Sequence, residues 1–281
     1  MPRLLRLVPL VAALGATSAF AVFPNNGADT QFTSVIRVGN ESGVAIDARW
    51  ILTAQHVANP GTITVGNTVY NVIEDHVPPV IALQRPDLRL LKVDNDLPAF
   101  TKIDTRVPLL GTVDIVGFGV SGVEVAGGYG LPGDPGNAAG TRRRATNRIE
   151  DLATVTFAPN NVPTNDYPEF TVMYFDLTAP GAVGRTSNEG GVAGGDSGGG
   201  FFYDFGQGRR LVATTSGNGS LTNADGTYQY GSGVGFGTYL GDPMAQSFLR
   251  QYVPQAVVPE PATVATLGLG ALALMRRRRR R

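Results

Sequence analysis

What most limits the fold of this chain is its punctuation. Short runs rich in β-branched and aromatic residues alternate with clusters of Gly, Pro, Asn and Asp along nearly the whole body. Phe32–Val38 stops at Gly39-Asn40, Thr62–Val65 stops at Gly66-Asn67, and Thr68–Ile73 follows at once. Gly43–Ile46, Trp50–Thr53, Leu88–Val93 and Thr112–Val116 continue the series, as do Ala153–Phe157, Phe170–Leu177, Phe201–Tyr203, Leu211–Ser216 and Gly233–Tyr239. Each run has the length of a strand and is too short for a typical helix. The 37 glycines and 19 prolines suit turns and would break helices. An all-β barrel or sandwich is therefore expected. Met244–Tyr252 alone has convincing helical character, with Asp242 placed to cap it and Pro243 in its first turn. With 281 residues and no cysteine, the chain must hold its fold by packing, without disulfides.

The two ends read as addresses. Arg3 and Arg6 precede the apolar stretch Leu7–Leu14 and the small-x-small site Ala19-Phe20-Ala21, so 1–21 has the form of a secretory signal peptide. At the other end, Val258-Pro259-Glu260-Pro261-Ala262 leads into an apolar stretch, Thr263–Met275, and a run of six arginines. As a helix, that stretch would rise about 20 Å, against a hydrocarbon core of about 30 Å. It reads as a short membrane tail with a basic stop on the cytoplasmic side. The order of parts resembles the PEP-CTERM sorting signal of Gram-negative bacteria over 259–281. The resemblance implies transient membrane association, signal peptidase and an exosortase-type enzyme as processing partners, and delivery to the cell surface or extracellular matrix.

Charge points the same way. Setting aside the eight arginines of the two ends leaves 15 basic residues against 23 acids, which argues against a nucleic-acid partner. Arg142-Arg143-Arg144, with Arg148 beyond, is read as a solvated face in preference to a polyanion patch. Gly117–Gly122 and Gly128–Gly133 both fit G-x-G-x-x-G, but neither opens a helix, so a dinucleotide site is not expected. Two histidines and no H-E-x-x-H make a zinc centre unexpected, and no cofactor is called for.

Three local sequences carry chemistry: Leu52-Thr53-Ala54-Gln55-His56, Asp87-Leu88-Arg89-Leu90-Leu91-Lys92-Val93 and Gly194-Gly195-Asp196-Ser197-Gly198-Gly199. A serine hydroxyl needs a base with a pKa near 7, and histidine, at about 6.5, supplies one. That base needs an anion on its other ring nitrogen. Glycines beside the serine let backbone N–H groups approach a developing oxyanion. Gly195–Gly199 also fits G-x-S-x-G, but the α/β-hydrolase order requires a histidine after the serine, and none follows Ser197. Asp29 and Asp47, the acids a subtilisin order would require, lie in no suggestive context. Asp75 and Asp94 are rivals to Asp87, and His76 lies in no motif and is read as a loop residue.

Together with Val113–Gly119, which ends in Gly-Phe-Gly, these motifs resemble the chymotrypsin-type (trypsin-like) serine peptidases from about Phe32 to Tyr252. The resemblance implies two six-stranded Greek-key β-barrels packed face to face, an active-site cleft between them, and a C-terminal helix. It divides the chain into a peptidase domain over 22–258, with a first barrel over about 32–120, a connection over about 121–150 and a second barrel over about 151–253. It makes Ser197 the nucleophile, His56 the base and Asp87 its orienting acid, with the N–H groups of Gly195 and Ser197 as oxyanion hole. Substrate would contact Gly191, Val192, Ser216, Gly217 and Gly233, and Ser216 would support Asp87 and begin the substrate-pairing strand. The pocket base falls on Gly191 and not on an acid, which implies a small or apolar residue before the scissile bond, unless Glu189 reaches the pocket. Asp196 would be a supporting residue, paired either with a new N-terminus at Val22 or with one of Arg142, Arg143 or Arg144. An exported endopeptidase acting on protein or peptide substrates is the expected function. The alternative is a non-catalytic surface or matrix-binding protein on the same scaffold.

Overall fold

A computed structural model of the chain describes residues 28–125, 128–130, 139–156, 168–219, 228–231 and 235–258. The signal-like segment 1–21 and the tail 259–281 lie outside them. Among the described residues no helix is long and apolar enough to cross a membrane.

The first sheet contains β1 (Val35–Val38), β2 (Glu41–Asp47), β3 (Trp50–Thr53), β4 (Thr62–Val65), β5 (Thr68–His76) and β6 (Arg89–Val93), in the order β1-β2-β3-β6-β5-β4. The second sheet begins with β7 (Thr112–Gly117). Two short strands, β8 (Val123–Val125) and β9 (Gly128–Gly130), then form a separate small sheet. The second sheet resumes with β10 (Arg143–Arg148), β11 (Asp151–Thr156), β12 (Glu169–Phe175), β13 (Gly200–Asp204) and β14 (Arg209–Asn218). After β15 (Tyr228–Gln229), which joins the small sheet, β16 (Gly235–Tyr239) completes it in the order β10-β7-β13-β14-β16-β12-β11. All these pairings are antiparallel.

Period-two patterning explains why the sheets stack. On β3, Ile51 enters the interior of the first barrel beside Val38, Ile63 and Leu91, while Trp50 and Leu52 point the other way. That other face is not solvated. Trp50 and Leu52 join Val44, Leu90, Val116, Phe202 and Leu211 in a second apolar layer at the seam between the sheets. A third cluster, with Ile115, Met173, Phe175, Phe201 and Val212, fills the second barrel. Strands buried on both faces read as near-continuous apolar runs, as Trp50–Leu52 does. The helix α1 (Pro243–Tyr252) closes the seam with Ala245, Phe248 and Leu249. Asp242 caps it by accepting from Met244 N at 2.9 Å and Ala245 N at 3.3 Å.

Three expectations need correction. Thr112–Gly117, which falls within the range of about 32–120 expected for the first barrel, belongs to the second sheet, where it lies between β10 and β13. The segment 143–148, read as connection, is a strand of the second sheet, so that sheet has seven strands in place of six. Its alternating polar faces hide the pattern because its inward positions include Arg143 and Asn147, both buried. His76 is not a loop residue: it ends β5, is hydrogen-bonded to Glu74 at 3.0 Å and stacks on Tyr252 with ring centroids 4.1 Å apart.

Candidate active site

The sheet registers bring the three motifs to one place. Strands β3 and β6 pair with Thr53 opposite Arg89, so the residues just after Thr53 and just before Arg89 emerge at the same end. His56 and Asp87 are those residues. Ser197 lies just ahead of β13, and Ser42 of β2 binds its carbonyl, Ser42 N donating to Ser197 O at 2.9 Å. The serine loop is thereby fastened across the seam to the first sheet.

His56 Nε2 stands 2.8 Å from Ser197 Oγ. On the opposite side of the ring, Nδ1 is 3.0 Å from Asp87 Oδ2 and 3.1 Å from Oδ1, and the His56 backbone N–H donates to Oδ1 at 3.2 Å. Asp87 is 6% exposed, so its charge acts through little water. The rival acids lie elsewhere: Asp75 is bound by Arg89 at 2.6 Å and Asp94 by Asn71 at 2.6 Å.

Burial pulls the His56 imidazole down, but the hydrogen bond and charge of Asp87, with the charge of Glu41, outweigh it and raise its pKa above 6.5. The neutral ring is the form that accepts a proton. The acid limb of kcat/KM should therefore inflect above pH 6.5, with activity lost as pH falls through that value; a pH–rate profile measures it.

The loop around the serine is built on glycine. Gly198 has φ +82°, and a Cβ there would lie 2.0 Å from Thr53 Oγ1 and 2.2 Å from Ser42 O. Gly195 has φ +91°, and its Cβ would meet Gly119 Cα at 2.5 Å. Left-handed backbone and a close approach across the seam both require the residue without a side chain.

Asp196 is fully buried beneath this loop. Its carboxylate accepts from Gly119 N at 3.2 Å and Ala193 N at 3.1 Å. Burial pushes its pKa well above the usual carboxylate range; those two N–H groups and the charge of Arg143 act against the rise. Of the three arginines in question, Arg143 is buried and is the one whose charge acts on Asp196. Arg142 binds Asp29 at 3.3 Å, and Arg144 reaches Asp114 at 3.4 Å. These pairings, with Arg148 on Glu150, also account for the basic cluster as part of the fold. Gly117-Phe118-Gly119 acquires a role here: a Cβ on Gly117 would sit 2.0 Å from Asp196 Oδ1.

Gly191 and Val192 are buried beside the serine loop, and Asn218 Nδ2 donates to Val192 O at 3.0 Å. Glu189 does not offer a free carboxylate. It is 2% exposed and accepts from Thr178 N and Thr186 N, both at 2.9 Å, and from Thr186 Oγ1 at 2.7 Å. Gly217 lies on β14 opposite Phe236, while Gly233 falls outside the described residues. Ser216 departs in one respect from its expected role: it does not bind Asp87 directly. It lies within β14 at a register shift that turns its hydroxyl to Thr238 Oγ1, 2.8 Å away. Thr238 Oγ1 in turn donates to Asp87 O at 3.4 Å, so the contact with the acid is relayed through its backbone. The sequence reading missed Ser42, Thr238 and Glu41, none of which lies in a motif.

Compared with solved structures, the chain is similar to a mutant of human heparin binding protein (CAP37), with a TM-score of 0.51 and 14% identity over 86% of this chain and 98% of that one. Its fold is that of the chymotrypsin-type serine peptidases. The Rv3671c protease of M. tuberculosis, active form, aligns with a TM-score of 0.46 and 15% identity over 87% of this chain and 82% of that one. The NS6 protease from murine norovirus 1 aligns at 0.41 and 14% over 78% and 97%. At these identities the likeness is one of fold. Residues 257–280 match the PEP-CTERM protein-sorting motif, which marks a chain for export to the surface or exterior of a Gram-negative cell. No curated protein matches the chain.

Proposed function

We propose that this chain is an exported serine endopeptidase that hydrolyses peptide bonds through an acyl-enzyme on Ser197. The observation that carries the reading is the continuous relay Asp87–His56–Ser197, with contacts of 3.0 and 2.8 Å. Ser197 Oγ attacks the scissile carbonyl while His56 Nε2 takes its proton. The carbonyl oxygen, now an oxyanion, is held by the N–H groups of Gly195 and Ser197. His56 then returns the proton to the leaving amine, and water repeats the sequence to release the acid. Asp87 keeps Nδ1 protonated throughout and stabilises the imidazolium.

Gly191 in place of an acid, and Glu189 already engaged, favour a small or apolar residue before the scissile bond. After removal of both ends the peptidase would act at the cell surface or in the surrounding matrix. A fluorophosphonate should label the wild-type protein at Ser197, and a peptide library should return cleavage after small or apolar residues. Absence of labelling would refute the catalytic reading; cleavage dominated by Arg or Lys before the bond would refute the pocket assignment.

Arg143 is the favoured internal partner of Asp196, on the strength of its position. Extra residues ahead of Val22 should then leave activity unchanged. Strict dependence on a free Val22 amine would defeat this assignment.

A further inference from the structure

Glu41 brings to the catalytic seam a carboxyl group that the proposed triad does not use. It opens β2, opposite Val38 and just after the Gly39-Asn40 turn. Its neighbour Ser42 is clamped to the nucleophile loop twice, through Ser42 N to Ser197 O at 2.9 Å and through Ser42 Oγ to Gly195 O at 2.8 Å. Thr53 Oγ1 holds the Ser42 carbonyl at 2.7 Å. Residue 41 is thus fixed beside the serine loop. Its carboxylate lies against the N–H of Gly195 and within electrostatic reach of His56 and Asp196. One oxygen, Oε2, is buried and has no hydrogen-bond partner among the described residues. A buried carboxylate oxygen without a donor is unfavourable, and such an orphan calls for a reason: strain, a role in the chemistry, or a donor brought from outside the protein.

The peptidase reading fixes which part of a substrate would meet it. On that reading the acyl half would run beside Ser216–Asn218 of β14 towards Gly191 and Val192, whose carbonyl Asn218 binds. The leaving half passes His56 and emerges over the first sheet, where Glu41 stands. The nearest substrate side chain is that of the first residue after the scissile bond.

We propose that Glu41 selects a lysine or arginine as the first residue of the leaving half. The inference rests on the peptidase reading above. Glu41 as a whole is only half-buried, so its carboxyl can turn to meet a cationic side chain, which supplies the N–H donors that Oε2 lacks and is attracted by the charge. A neutral side chain leaves the oxygen unpaired, and an acidic one is repelled. Asp196, the other acid facing Glu41, is fully buried beneath the loop and opposed by the charge of Arg143, so it does not compete for the cation. Drawing the carboxylate towards the cation also frees the Gly195 N–H for the oxyanion.

The test uses the full chain and three internally quenched peptides that differ only at this position, with Lys, Gln or Glu. The expected order of kcat/KM is Lys, Gln, Glu, with Lys over Glu by about tenfold or more. Concentrated salt should compress the order if the attraction is electrostatic. In Glu41→Gln the Lys-to-Glu ratio should fall towards one, and Glu41→Asp, which keeps the charge, should retain the direction. A flat order in wild type would overturn the proposal, as would an order equally steep in Glu41→Gln. If the protein labels with fluorophosphonate but shows a flat order, only this inference fails. If it neither labels nor cleaves, the peptidase reading fails and takes the inference with it.

Discussion

Replacing Ser197 by alanine is expected to lower kcat about a million-fold, the scale on which a triad nucleophile acts when the rest of the site is intact. The loss should be chemical and not structural. Ser197 Oγ has His56 Nε2 as its hydrogen-bond partner, and the fastening of the loop runs through backbone atoms and glycines that the substitution leaves alone. Melting temperature should therefore barely change, since a substitution that breaks no packing or buried network shifts stability by about 0.5 kcal/mol or less. Single-turnover hydrolysis and fluorophosphonate labelling, read beside a thermal melt, check both halves. Wild-type turnover in the variant would remove Ser197 from the chemistry.

Asp87→Asn is the second large effect. The substitution keeps the volume and the buried position but exchanges an acceptor for an amide that can present a donor to Nδ1. The ring then takes the opposite tautomer, with its proton on Nε2, where it can no longer accept from Ser197. A fall of about 10⁴ in kcat is expected, equivalent to about 5.4 kcal/mol of barrier at 1.36 kcal/mol per decade. The variant also removes the main anion stabilising the imidazolium, so the acid limb of the remaining activity should move to lower pH. KM should change much less than kcat, because Asp87 lies behind the ring and touches no substrate. An unchanged acid limb would mean that Asp87 does not set the protonation of His56.

The residues that the structure brings together are legible because their motifs are local in sequence. Gly-Asp-Ser-Gly-Gly names both the candidate nucleophile and the backbone freedom around it, and His56 and Asp87 each adjoin an apolar run that reads as a strand. What stayed hidden depends on contacts between distant segments. The resemblance offers one of Arg142, Arg143 or Arg144 as a partner for Asp196, but nothing nearby in the sequence says which of the three carries the charge that acts on a carboxylate some fifty residues away. Ser216 was assigned by position, and the register shift after Thr215 that turns it to Thr238 has no sequence signal. Glu41 was invisible for a similar reason: a lone acid after a Gly-Asn turn reads as hairpin decoration until β2 is seen pinned to the serine loop. The seven-stranded second sheet was missed because buried arginine and asparagine on β10 break the apolar alternation by which half-buried strands are recognised.

The arrangement around Asp196 has a consequence for timing. Its carboxylate is met by donors from Gly119 and Ala193 and by the charge of Arg143, all supplied by the folded body. Nothing in that set waits for a scissor cut. On the proposed peptidase reading, a hydrolase assembled this way would be competent from the moment it folds, and restraint would have to come from geography: where the chain is released, and which proteins share that space.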